Sequence, residues 1–103
     1  MALNPPVHKT AVGAYQEERV TAGSLCPGDH VMVPGRPSQV MRIEEVKLYA
    51  QTVQLTGVMT NGGSLTMNRF RTGPLVRVVW TNIAFRAQFD KMIDKMKAEK
   101  ASE

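Results

Sequence analysis

Residues 25–43, LCPGDHVMVPGRPSQVMRI, hold two chain-reversal signals in nineteen positions. Pro27 fixes φ, Gly28 permits conformations closed to other residues, and Asp29 has a side chain short enough to bond nearby backbone. After such a turn the chain is expected to be extended. In His30–Val33, Val31 and Val33 fall on one face and His30 and Met32 on the other, the period-two pattern of a strand. Pro34-Gly35 ends that strand, and a second apolar run begins within a few residues. Short strands and tight turns in quick succession predict a small β structure.

Working outward, Met41 and Ile43 share one parity while Val46 and Leu48 take the other. A bulge or bend near Glu44-Glu45 would return all four side chains to one core. In residues 52–59, Val53 and Leu55 share a face, and Gly57 permits a change of parity towards Val58 or Met59. Thr60-Asn61-Gly62-Gly63 is a hairpin signal, with residues 64–70 as the partner strand. Arg71-Thr72-Gly73-Pro74 breaks the run before Leu75–Trp80, a last strand of high β propensity. Upstream, residues 19–25 fit a short strand entering the first turn.

The two ends differ in kind. Residues 1–17 contain Pro5-Pro6 and Gly13 without a sustained period and are expected to form a flexible N-terminal arm. After Trp80, Thr81 or Asn82 can cap a helix, and no Gly or Pro interrupts the chain to Glu103. Phe85, Phe89, Met92 and Met96, with Ile93 beside them, make one apolar stripe on that helix. Three units are expected: the arm, a β domain over residues 18–80, and an amphipathic helix over residues 81–103.

Four features carry a resemblance: LCPGDHV, a long bent second strand, the TNGG hairpin, and the RTGP break before the last strand. Across residues 20–80 the chain resembles SH3-like small barrels, including KOW and Tudor-type modules. The resemblance implies a mainly β fold, a five-stranded antiparallel barrel, with one C-terminal α-helix. It brings no functional residue with it. An OB-like barrel fits less well, because residues 59–64 leave no room for its usual helix.

A chain of 103 residues fits one domain with a core of its own. One cysteine, Cys26, excludes an internal disulfide, and with His8 and His30 it makes no closed zinc site; no metal and no cofactor are expected. No signal peptide and no membrane-length apolar run is visible, so a cytoplasmic protein without membrane association is expected. Catalysis is not expected. Asp29 has a turn role, His30 alternates to the outer face, and no third group orients them for Cys26. Glu44 and Glu45 are adjacent on a strand and point apart, and TNGGS lacks the helix and lysine of a phosphate-binding loop.

The net charge of +4 and an isoelectric point near 9.6 favour a polyanionic partner. Between Arg19 and Trp80 there are six arginines and one lysine, a bias that suits forked contacts to phosphate. If a parity change at Asn68 sends Phe70 inward, Arg69 and Arg71 point outward. With Arg36, Arg42 and Arg77, and with Lys47 and Tyr49, they are expected to form a positive face for nucleic acid. Base stacking needs exposed aromatics, for which only Tyr15 and Tyr49 qualify, so weakly selective backbone contact is the expected mode. In the last strand Val76, Val78 and Trp80 are expected to point inward and Leu75 and Val79 outward, under the helix.

The helix stripe of Phe85, Phe89, Met92, Ile93 and Met96 either packs on that strand or forms an interface, so the chain is expected as a monomer or homodimer. The alternative function is a protein–protein adaptor using the barrel edge or the stripe. A module of this size would also suit a phage-encoded modulator of a host protein, although no motif carries that origin.

Overall fold

The reversals predicted at Pro27-Gly28-Asp29, Pro34-Gly35, Asn61-Gly62 and Thr72-Gly73 are all present in the computed structural model, which describes residues 6–10 and 12–101. Between them run β3 (His30–Val33), β4 (Arg36–Leu48), β5 (Thr52–Met59), β6 (Ser64–Phe70) and β7 (Pro74–Trp80), followed by α1 (Ile83–Ala101). The fold is mainly β with a C-terminal helix. Among the described residues, no helix is long and apolar enough to cross a membrane.

Five strands in a closed barrel are expected, and among the described residues the sheet instead has seven and stays open. Its order is β1-β2-β7-β3-β4-β5-β6, antiparallel throughout. The two additional strands are β1 (Val7–Lys9) and β2 (Ala14–Thr21), both reaching into the stretch read as an arm. Residues 1–5 and 11 of that stretch, and Ser102 and Glu103 of the expected helix, lie outside the described residues. β2 pairs with β7 all the way from Tyr15↔Trp80 to Thr21↔Pro74, whereas β3 meets β7 only at Val31↔Arg77. The last strand thus spends its pairing on β2, and β1 and β6 are left as the two edges. Of the strand expected over residues 19–25, only the first three belong to β2, and Ala22–Ser24 form a 3-10 turn instead; the rest of β2 was hidden because it is polar on both faces, Gln16 and Glu18 alternating with Glu17 and Arg19.

Register assigns the faces. On one face, Val31, Val33, Met41, Ile43, Val53, Leu55, Met59, Met67 and Leu75 close over Ala22 and Leu25 as the main core. The expected break in β4 is there: the register with β5 shifts between Ile43 and Glu45, so that Val46 and Leu48 pair opposite Leu55 and Val53. No parity change follows at Gly57. That glycine serves the bend differently, since a Cβ there would lie 2.2 Å from the Arg42 carbonyl oxygen, a separation no side chain can occupy. At the hairpin Gly62 takes φ 86°, and Asn61 Oδ1 accepts the Gly63 N–H at 2.8 Å.

The other face carries a second cluster, in which Phe89 and Ile93 of α1 cover Val58, with Val40, Trp80 and Met92 packed around them. This corrects the expected phase of β7. Leu75 is buried in the main core, while Trp80 lies on the helix side. Arg77, opposite Val31, sets that parity. Asn82 starts α1, its Oδ1 accepting the Ala84 N–H at 2.7 Å. From there the helix crosses the sheet to the β5–β6 hairpin, where the Met96 carbonyl sits against Gly62.

Candidate nucleic-acid interface

The seven basic and aromatic residues expected on one face are divided by the fold. Arg42 lies under α1 with its side chain 13% exposed; its Nη2 meets Asp94 Oδ1 at 2.7 Å and Glu44 Oε2 at 2.8 Å. Lys97 closes on the same Glu44 at 2.9 Å. The Arg42 hydrogen bond holds the Asp94 carboxyl below its usual range. Partial burial would raise Glu44, but Lys97 and Arg42 outweigh it and leave that carboxyl lowered too. Arg77 pairs with Glu18 and approaches Asp29 at 4.0 Å, and Lys47 lies 3.5 Å from Glu45.

The other three of the expected arginines have no carboxylate partner among the described residues. Arg36, at the start of β4, reaches Met59 Sδ at 3.9 Å. Arg69 donates to the Asn68 carbonyl at 2.8 Å, and Arg71 to the Tyr49 carbonyl at 3.5 Å. Arg36 stands at one end of the β4–β5 pair. Arg69 and Arg71 stand at the other, with Lys47 and Tyr49 at the same end on the face opposite Arg69, so the unpaired charge is concentrated there.

The local geometry at that end differs from expectation in one respect. β6 keeps its register without a break, Val53 facing Arg69 and Thr52 facing Phe70. Phe70 is therefore 67% exposed rather than buried. A parity change at Asn68 would serve to keep arginines out of the core. It is unnecessary because β6 is an edge strand whose end runs past the core, so Arg69 keeps the inward parity while only half-buried. Phe70, Thr52 and Tyr49 lie side by side across the three strand ends, the Tyr49 N–H bonding the Thr52 carbonyl at 2.9 Å. The next row along is Lys47, Gln54 and Asn68, then Glu45, Thr56 and Thr66. These rows share the face on which α1 lies, but α1 covers only the opposite end.

Beyond Phe70 opens a cleft of about 700 Å³, bounded by the 3-10 turn Ala22–Ser24, the Ala50-Gln51 turn and residues 70–72. Backbone bonds hold Arg71 there from both sides, its N–H on the Gln51 carbonyl and its carbonyl accepting from Gly23, each at 2.9 Å. The other aromatic singled out for exposure, Tyr15, is half-buried, stacked on His8 at 5.1 Å and set edge-on to Trp80.

Sequence reasoning also missed a hydrogen-bonded chain beneath α1. His30 does alternate away from Val31, but its parity leads under the helix, where it is 2% exposed. Trp80 Nε1–H donates to His30 Nδ1 at 2.8 Å, which leaves Nε2–H to donate to Asp90 Oδ1, also at 2.8 Å. Both ring nitrogens are thus engaged, and neither is open to take a proton from a substrate. The helix stripe lies on the same seam: Phe89 and Ile93 are buried, while Phe85, Met92 and Met96 are half-buried. Among the described residues no three metal-ligating side chains converge.

Fold and site together define an open antiparallel sheet, half covered by a helix, with a basic and aromatic end. No protein-family model, no curated protein and no solved structure matches the chain.

Proposed function

We propose that this protein is a non-enzymatic nucleic-acid-binding module that grips the phosphate backbone with little sequence selectivity. The observation that carries the proposal is the pair Arg69 and Arg71, both without carboxylate partners among the described residues, at the cleft end of the sheet, Arg71 against the Tyr49 carbonyl and Arg69 on the opposite face from Lys47 and Tyr49. An unpaired guanidinium offers a forked set of donors to phosphate oxygens, whereas Arg42 and Arg77 already spend theirs on Glu44, Asp94 and Glu18. Arg36 is left as a separate, distant contact. An SH3-like relationship belongs to the same proposal, its five expected strands corresponding to β3–β7 and its long bent strand to β4. The adaptor alternative through the helix stripe gains little from the packing, since Phe89 and Ile93 are occupied against Val58.

The test is the salt dependence of binding to random-sequence oligonucleotides. Removing one phosphate-binding cation lowers the slope of log K against log salt by about 0.7 for single strands. Replacing Arg69 and Arg71 together with alanine is expected to flatten the slope by about 1.4. Arg77→Ala, already paired, should change it little. Absence of binding to any nucleic acid at low salt would refute the proposal.

A further inference from the structure

We infer that the Tyr49–Thr52–Phe70 end of the sheet is a stacking platform that selects single-stranded over double-stranded nucleic acid. This rests on the nucleic-acid proposal above and specifies which form of polyanion the site takes.

Phe70, Tyr49 and Leu48 are among the most exposed large side chains of the described residues, at 67%, 52% and 56%. Phe70 and Tyr49 also share a face, because both flank Thr52 in the ladder. Backbones two strands apart stand roughly 10 Å from each other, so the two rings rise from well-separated positions. A duplex stacks its bases at a rise of about 3.4 Å with their faces already covered, so it has no base face to offer either ring. An unstacked strand can lay one base on each, and every base has a π-face, which makes the contact tolerant of sequence.

The surroundings fit a polyanion. The aromatic row and the Lys47–Gln54–Asn68 row beside it hold no carboxylate; the first acidic group on this face is Glu45, and Lys47 lies 3.5 Å from it. Thr52, Gln54 and Asn68 offer donors and acceptors without charge. Arg71 lies at the edge of the platform, its guanidinium against the Tyr49 carbonyl, within reach of the phosphates of a strand whose bases sit on the rings. Exposed aromatic rings next to arginine also suit a protein surface, but Arg71, with no carboxylate partner among the described residues, beside two rows of the ladder that hold no acid favours the nucleic acid.

The experiment compares three labelled probes on the full chain by fluorescence anisotropy at low salt. They are an oligothymidine of about twelve nucleotides, within the roughly 4–16-nucleotide footprint of small single-strand-binding folds, an abasic strand of the same length, and a duplex of the same length. The oligothymidine should bind about tenfold or more tighter than either other probe. Phe70→Ala should lower oligothymidine affinity about five- to a hundred-fold and leave the abasic strand unchanged, with Phe70→Tyr restoring it. Since Phe70 lies outside both apolar clusters, the fold should survive, as circular dichroism can verify; Tyr49→Ala is the second variant. If the three probes bind equally, or the ring variants weaken all three alike, stacking is wrong while nucleic-acid binding stands. If no probe binds and only a protein partner does, both proposals fall.

Discussion

His30 shows how one side chain can be placed correctly and still be misjudged. Its parity puts it opposite Val31, as period-two alternation requires, but what covers that face comes from Asp90, sixty residues on. Nothing near His30 signals the partner. Burial lowers the His30 pKa first and foremost, with the Asp90 hydrogen bond pulling the other way and the nearby Arg86 and Arg42 charges adding to the depression. From α1 the ring faces Asp90, Arg86 and Phe89, from β4 it faces Arg42, and from β7 Trp80. A protonated ring would also have to give up its acceptor role to Trp80. The unfolded chain takes up a proton near pH 6.5 that the folded chain refuses. Stability is therefore fully present above about pH 6.5 and falls as the pH drops below it, until the lower folded value is passed. The carboxylates Glu44 and Asp94, held below their usual range, give up their contribution only at more acid pH. Thermal melts of the parent chain should thus fall between pH 7.5 and pH 5.5, roughly the window of a histidine. His30→Gln should be less stable at pH 7.5 by about 1–3 kcal/mol, for the bonds it cannot remake, yet flatter across that window. An unchanged slope in the variant would remove His30 as its source.

At the scale of elements, local pattern was legible wherever a residue's neighbours in sequence are also its neighbours in the fold. Turns at Gly28, Gly35 and Gly62 and the bulge near Glu44 follow from a few adjacent residues. The helix stripe was legible in the same way, since Phe89 and Ile93 sit four apart on one side. What the stripe would cover was not. The phase of β7 depends on Arg77 lying opposite Val31 and on β2 arriving along the far side, and neither can be counted off along the chain. The energetic weight of the resulting seam falls on its apolar centre. Ile93 is fully buried, so Ile93→Ala should cost about 2–5 kcal/mol in chemical denaturation. Asp94→Ala removes an ion pair whose acidic side chain is 64% exposed, and should cost well under half as much. If Asp94 proved the costlier loss, the helix would be held by charge and the apolar seam would be incidental.

The whole molecule is an open sheet with two edges, and the candidate site is at the end of one of them. β6 is an edge strand with exposed polar residues at Ser64, Thr66 and Asn68 and with Arg69 near its end, which makes it a poor template for another chain's strand. β1 ends the other side after only three residues. The aromatic platform escaped sequence reasoning because strict alternation through β6 would have buried Arg69 and Arg71 as unpaired cations; it became visible only once β6 was known to lie at an edge, beyond the reach of α1. The same openness sets the role of the N-terminal segment. β2 pairs with β7 along its whole length and brings Val20 against the main core, whereas β1 adds a short ladder and the stacking of His8 on Tyr15. A chain beginning at residue 10 should therefore melt cooperatively with a loss of about 1–2 kcal/mol, the scale of an aromatic pair and a short edge ladder. A chain beginning at residue 22 strips β7 of the longer of its two paired ladders and uncovers Leu75, and should lose its cooperative transition by circular dichroism. Equal stability of the two truncations would mean that β2 is an appended strap and that β3–β7 form the folding unit alone.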